Sequence, residues 1–259
     1  MGRKYTDIIK KVDESASQFS KFLENILDEK VLHLIKSLTE ETKVYIFSGV
    51  IRNFFLKIDA YRDIDIVLEN EINIKSILKK HRYKVNSYGG YKIFINKTVI
   101  DIWFLKHTWG LKIQNIINHT LEEYIPHTAF FNFSAITYSL NDNKFSFHKS
   151  FIRFLKYKEI DYVFKPNANP ALCIINTFYY SDNLNLKVSE KLMRFIIKNY
   201  WAYLKDYKNV QIKHFAKLLY SNDEIIKRAN QMAEILENKR KRRKKKIINL
   251  PILPFTKKH

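Results

Sequence analysis

Apolar residues recur at helical spacing in the first forty positions. Phe19, Phe22, Leu23, Ile26, Val31, Leu34 and Ile35 predict one or two amphipathic helices over residues 5–38. The period then changes. Val44-Tyr45-Ile46-Phe47 is a continuous apolar run of strand length, and Ser48-Gly49 follows as a turn. Val50 to Leu56 predicts a short apolar helix. From Asp63 the pattern alternates, with Ile64, Ile66 and Leu68 on one face and Asp63 and Asp65 on the other. Residues 72–81 predict a lysine-rich helix, and residues 83–88 and 91–95 a hairpin turning at Gly89-Gly90. Residues 98–105 predict a further strand, residues 109–125 a helix, and Asn141-Asp142-Asn143 a turn. After about residue 148 the period is helical. Asn169-Pro170 opens a helix to about Tyr180, and Asn183 to Asn199 and Asn209 to Tyr220 predict two more. Ser221-Asn222-Asp223-Glu224 is a capping box, and the helix it starts buries Ile225, Ala229, Met232 and Leu236. The expected class is mixed α+β: a sheet with flanking helices over residues 1–145, an all-helical domain over 146–238, and a basic tail over 239–259.

Composition narrows the class. Hydrophobic residues make up 46% of the 259, enough for a globular core. The single cysteine, Cys173, excludes an internal disulfide and a cysteine-based zinc site, and reads as a small buried hydrophobe. No apolar run reaches the length of a membrane span and no signal peptide is visible, so the expectation is a cytoplasmic protein with no membrane partner. The net charge is +20, of which the run Lys239 to Lys246 supplies +8. That excess points to a polyanionic partner, although Ile, Lys, Asn, Phe and Tyr are abundant throughout, as an AT-rich genome would make them. The run is too dense in like charge to predict a compact element, and reads as a mobile arm. There is no P-loop lysine motif, no Gly-x-Ser-x-Gly and no histidine cluster.

The candidate chemistry sits in residues 44–70. Two carboxylates side by side on a strand repel each other and prefer hydration. The arrangement is either a solvated strand end or a divalent-metal site of the Mg²⁺ type, which binds through one or two carboxylates plus substrate phosphates. Gly49 stands at the strand-to-helix turn, where backbone N–H groups can approach a phosphate at a helix N-terminus. Arg52 follows one turn later. Asp101, in the middle of the apolar strand TVIDIWFL, needs a partner: the same metal, or a neighbouring backbone group.

Ser48-Gly49-Val50-Ile51-Arg52-Asn53 followed by Asp63-Ile64-Asp65-Ile66-Val67 resembles the signature of the polymerase-beta-type nucleotidyltransferase superfamily. It is closest to the branch of CCA-adding tRNA nucleotidyltransferases and bacterial poly(A) polymerases. That branch has Gly-Gly-x-x-Arg-Asp before the acidic pair; here Ser48 replaces the first Gly and Asn53 the Asp. Phe130 to Tyr138 is similar to the branch's Phe-Thr-x-Asn-Ala-x-Ala-Tyr segment, with Asn132 and Ser134 in the Thr and Asn places. The branch's Asp-Pro-x-Arg-x-x-Arg segment corresponds to Asn169-Pro170-Ala171-Leu172-Cys173-Ile174-Ile175, which lacks the arginines.

The resemblance implies a nucleotidyltransferase sheet in which Asp63, Asp65 and Asp101 hold two Mg²⁺ ions, or Mn²⁺, about 3.5–4 Å apart. It implies that Asp101 accepts the proton of the attacking hydroxyl. It also implies that Ser48, Gly49, Arg52 and Asn132 contact the NTP. The expected reaction moves a nucleoside monophosphate from an NTP to an RNA 3′ end, that of tRNA first, in a housekeeping, toxin or defence enzyme. Lys239, Arg240, Lys241, Arg242, Arg243, Lys244, Lys245 and Lys246 are the expected RNA contacts. A full CCA-adding enzyme carries further helical domains that measure tRNA. Two alternatives therefore stand beside the first: transfer to a protein or small molecule, and a non-catalytic RNA-binding protein on the same fold.

Overall fold

The computed structural model describes residues 4–86, 89–113, 121–166 and 169–248. The chain divides into two compact units, residues 1–167 and 168–259.

The first unit opens with three helices, α1 (Tyr5–Glu14), α2 (Ala16–Ile26) and α3 (Glu29–Glu41). The breaks are local in origin. Ser15 ends α1 and its hydroxyl donates to Val12 O, and Asp28 caps α3 by accepting from Lys30 N. Next come β1 (Val44–Phe47), α4 (Gly49–Leu56), β2 (Asp63–Leu68), α5 (Ile74–Leu78), β3 (Arg82–Val85), β4 (Tyr91–Ile95) and β5 (Thr98–Phe104). The lysine-rich helix is thus one turn and a half, ended after Leu78 by the chain entering the hairpin. The predicted hairpin turn includes Ser87 and Tyr88, which lie outside the described residues.

Of the helix predicted over 109–125, the described residues show helical segments α6 (Trp109–Ile113) and α7 (Leu121–Tyr124); residues 114–120 of that prediction lie outside the described residues. The unit ends with β6 (Ile136–Ser139), β7 (Lys144–Phe147), α8 (Lys149–Tyr157) and the short β8 (Glu159–Ile160).

The seven-stranded sheet has the order β3-β4-β5-β2-β1-β6-β7. β2 and β5 run parallel, and every other neighbouring pair is antiparallel. The apolar halves of the central strands share one face, where Ile46, Ile64, Ile66 and Ile100 are fully buried. Rings from α2, α4, α8 and the sheet interlock there: Phe19 lies 5.2 Å from Phe54 and 4.8 Å from Tyr138, and Phe55 lies 5.6 Å from Phe151. The opposite face is covered in part, by Leu105, Leu111 and Ile125 against Tyr45 and Val67. The rest of it carries the acidic residues.

The second unit contains β9 (Lys187–Val188) and four longer helices: α9 (Pro170–Asn183), α10 (Glu190–Asn199), α11 (Tyr207–Phe215) and α12 (Asn222–Ile248). Asn169 caps α9 by accepting from Leu172 N. The capping box at Ser221 is formed as the sequence predicts: Ser221 N donates to Glu224 Oε2, and Glu224 N to Ser221 Oγ. Helix α11 stops five residues before Tyr220 because Ala216 turns left-handed, and the Gln211 amide binds the main chain of Leu219 and Tyr220. The basic run is no separate arm. Helix α12 carries it through to Ile248. Lysine and arginine are good helix formers, and cations at a helix C-terminus interact favourably with its dipole. No helix among the described residues is long and apolar enough to cross a membrane.

Candidate active site

The register of the sheet gathers the acidic residues. Asp65 of β2 is paired with Asp101 of β5, and Phe47 of β1 with Asp65. Paired residues on neighbouring strands share a face, as do residues two apart on one strand. Asp63, Asp65 and Asp101 therefore project from the same side of the two adjacent strands β2 and β5, next to the end of β1. The turn Ser48-Gly49 leaves β1 at that end, so the N-terminus of α4 opens beside the carboxylates.

The turn is made differently from its sequence appearance. The residue with positive φ is Ser48, at φ 65° and ψ −104°, while Gly49 is not left-handed. A Cβ at Gly49 would meet nothing within 4 Å, so the space beside Gly49 is open. Ser48 is held in its strained conformation from outside: its N–H donates to Ile136 O of β6 at 3.2 Å, and its carbonyl accepts from Arg52 N. Its side chain makes no capping bond to α4.

Arg52 is 9% exposed; its Nε donates to Asn53 Oδ1, and its guanidinium lies 5.2 Å over the Phe133 ring. Asn53, which stands where the branch has Asp, takes a structural duty: its Nδ2 donates to Ala60 O. That bond ties α4 to the loop delivering Asp63. Asn132 was expected at the nucleotide, but it is 1% exposed and both ends of its amide serve the main chain. Nδ2 donates to Glu159 O, and Oδ1 accepts from Asp161 N. Its geometry fixes the segment after β8.

The carboxylates are crowded with charge of both signs. Arg62 donates from Nη2 to Asp63 Oδ2 at 2.7 Å, and Lys92 of β4 donates from Nζ to Asp101 Oδ2 at 2.9 Å. Asp65 lies between them. Burial first, and then repulsion from Asp63 and Asp101, push its pKa up to about 7. Among the described residues no three carboxylate, imidazole or thiolate groups are assembled into a metal cluster as the side chains stand. The donor set nevertheless fits a divalent cation, because three hard oxygen donors repel one another on one face and two of them are neutralised only by partly exposed cations. Lys92 was invisible to sequence reasoning. It is identified by its register opposite Asp101, which only the hairpin pairing reveals.

No family model and no curated protein matches the chain. Solved structures do. A CCA-adding enzyme in complex with ATP superimposes with a TM-score of 0.61 at 18% identity, over 82% of this chain and 54% of the other. The Thermotoga maritima CCA-adding enzyme complexed with tRNA-CCA gives 0.59 at 18% identity, over 83% and 53%. A tRNA nucleotidyltransferase complexed with a primer tRNA and an incoming ATP analog gives 0.55 at 16%, over 76% and 59%. The fold is the polymerase-beta-type nucleotidyltransferase fold. The chain spans about half the length of the solved structures it matches. Within the nucleotidyltransferase fold, the acidic face and the Ser48 turn belong to the first unit. The basic run belongs to the second, where Lys239 pairs with Glu190 and Lys241 with Glu237.

Proposed function

We propose that the chain transfers a nucleoside monophosphate from an NTP to the 3′ end of an RNA, with tRNA as the foremost acceptor. The observation that supports this most directly is the register that puts Asp65 between Asp101 and the end of β1, where the Ser48-Gly49 turn leaves the sheet. The solved relatives in complex with ATP and tRNA favour an NTP and an RNA as partners. Lys239 to Lys246 on α12 supply a cationic stretch for the RNA backbone, whose binding is then salt-dependent.

In this reading Asp63, Asp65 and Asp101 would hold two Mg²⁺ ions, or Mn²⁺, which supply charge neutralisation at the phosphates and activation of the attacking oxygen. The open N-terminus of α4 presents N–H groups to the triphosphate, with the Ser48 hydroxyl beside them. Arg52, one turn into α4, contributes positive charge at the triphosphate. The acceptor's 3′ oxygen attacks the α-phosphorus, and a new P–O bond forms there. The bond from the α-phosphorus to its bridging oxygen breaks, and pyrophosphate departs with that electron pair. Asp101 receives the hydroxyl proton. Positioning and electrostatics carry such a transfer.

The ion pairs Arg62–Asp63 and Lys92–Asp101 favour one second reading, a non-catalytic RNA-binding protein whose carboxylates are permanently neutralised. Incubation with Mg²⁺, each labelled NTP in turn and total RNA separates the two. Label on RNA that disappears in Asp65→Asn supports the transferase. Label on the protein itself would move the acceptor to a protein, and RNA binding without labelling supports the second reading.

A further inference from the structure

A row of side chains crosses four strands of the sheet. Lys92 of β4 stands opposite Asp101 of β5, Asp101 beside Asp65 of β2, and Asp65 opposite Phe47 of β1. The Ser48 turn leaves the β1 end of this row, and Lys92 closes the other end. The Lys92 ammonium is 2.9 Å from Asp101 Oδ2, and its side chain is 41% exposed against 22% for the carboxylate. The contact is therefore formed by a flexible side chain that is itself partly exposed to solvent.

A divalent ion held by Asp65 and Asp101 competes for the oxygen that Lys92 now occupies. Two cations cannot both sit within hydrogen-bond reach of one carboxylate without mutual repulsion. We propose that Lys92 is the resident counter-ion of Asp101, displaced when a divalent metal binds, and that the displaced ammonium then grips a backbone phosphate of the acceptor RNA. The inference rests on the transferase reading above. The side of the row decides the ligand: the nucleotide's phosphates belong at the α4 N-terminus on the β1 side, so a cation released on the β4 side faces what arrives from the opposite direction. A lysine suits the exchange, being a compact charge on a flexible stem that makes single rather than bidentate contacts. Lys92 is a positioning residue here, and its two occupancies are linked: metal binding raises affinity for the RNA, and RNA binding raises affinity for the metal by the same factor.

The test titrates Mn²⁺ into the whole chain without nucleotide, following free Mn²⁺ by electron paramagnetic resonance. Wild type, Lys92→Gln, Lys92→Arg and Asp65→Asn are compared. Lys92→Gln should bind Mn²⁺ about fivefold tighter, the factor that corresponds to loss of one partly exposed ion pair. Lys92→Arg should stay near wild type, and Asp65→Asn should lose the site. Anisotropy of a labelled single-stranded oligoribonucleotide then reads the second half. Relative to Asp65→Asn, saturating Mn²⁺ should tighten binding severalfold in wild type and not in Lys92→Gln. Unchanged or weaker Mn²⁺ affinity in Lys92→Gln, with the site still lost in Asp65→Asn, overturns the counter-ion role and leaves the transferase reading intact. Tighter Mn²⁺ binding with RNA coupling unchanged in Lys92→Gln overturns the phosphate grip. Absence of any Asp65-dependent Mn²⁺ site overturns both.

Discussion

The two faces of β2 follow opposite rules. On one, Ile64, Ile66 and Leu68 are fully buried against the helices and stabilise the unit by leaving water. On the other, Asp63 and Asp65 repel each other and Asp101, and Asp65 is held far from its ordinary ionisation. One six-residue strand thus gains free energy on its apolar side and loses some of it on its polar side. Proteins retain unfavourable charge of this kind where a ligand relieves it, so the contrast itself points to function.

Substitutions on the two sides should separate cleanly. Asp65→Asn should lower nucleotidyl transfer by at least about a thousandfold, because a ligand to the developing charge is lost, while circular dichroism stays unchanged. Near-normal turnover in the folded variant would break the contrast. Ile66→Ala, one residue away, should do the reverse. It should lose about 2–5 kcal/mol of stability in denaturant titration, the range for a truncated core side chain, and keep its turnover where folded.

The pH dependence sharpens the same contrast. The folded pKa of Asp65, about 7, lies above the unfolded carboxylate value near ~3.9. The native state therefore binds a proton that the unfolded chain releases. The stabilisation is full below the unfolded value and is lost as pH rises through the folded one. Metal-free protein should lose stability between about pH 4 and 7, and Asp65→Asn should flatten that part of the curve. A wild-type curve matching the variant's would mean that Asp65 is not desolvated. The smallest effect belongs to Ser48→Gly. Relief of the left-handed strain, less the entropy of an added glycine, should raise stability by about 0.5–1 kcal/mol in thermal or denaturant unfolding. Destabilisation would show that the serine side chain helps to hold the turn.

The alternation of β2 made its two faces legible from sequence, and with them the acidic pair. Strand β5 was equally legible, because Asp101 interrupts an apolar run. The turn was placed at the right spot, but the positive φ of Ser48 was not foreseen. Glycine advertises conformational freedom, yet Ser48 takes the unusual φ because Ile136, far along the chain, holds its N–H. Lys92 escaped for a related reason, since cross-strand register is a tertiary property. Asn132 looked polar and available, but its partners at Glu159 and Asp161 lie across a fold that local pattern does not describe. The basic run was misjudged by charge density alone, when the helix arriving from Ser221 extends through it.

The tie between Ser48 and Ile136 also orders events in time. β1 lies between β2 and β6, and Val44 N bonds Asn141 Oδ1, 97 positions away. On a ribosome adding about 5–20 residues per second, β6 emerges on the order of ten seconds after β1. Until then the acidic strand can pair with its neighbour, but nothing fixes the turn beside it. The phosphate-facing half of the site is therefore among the last parts of this unit to be born, and a nascent chain carries its carboxylates well before it can use them.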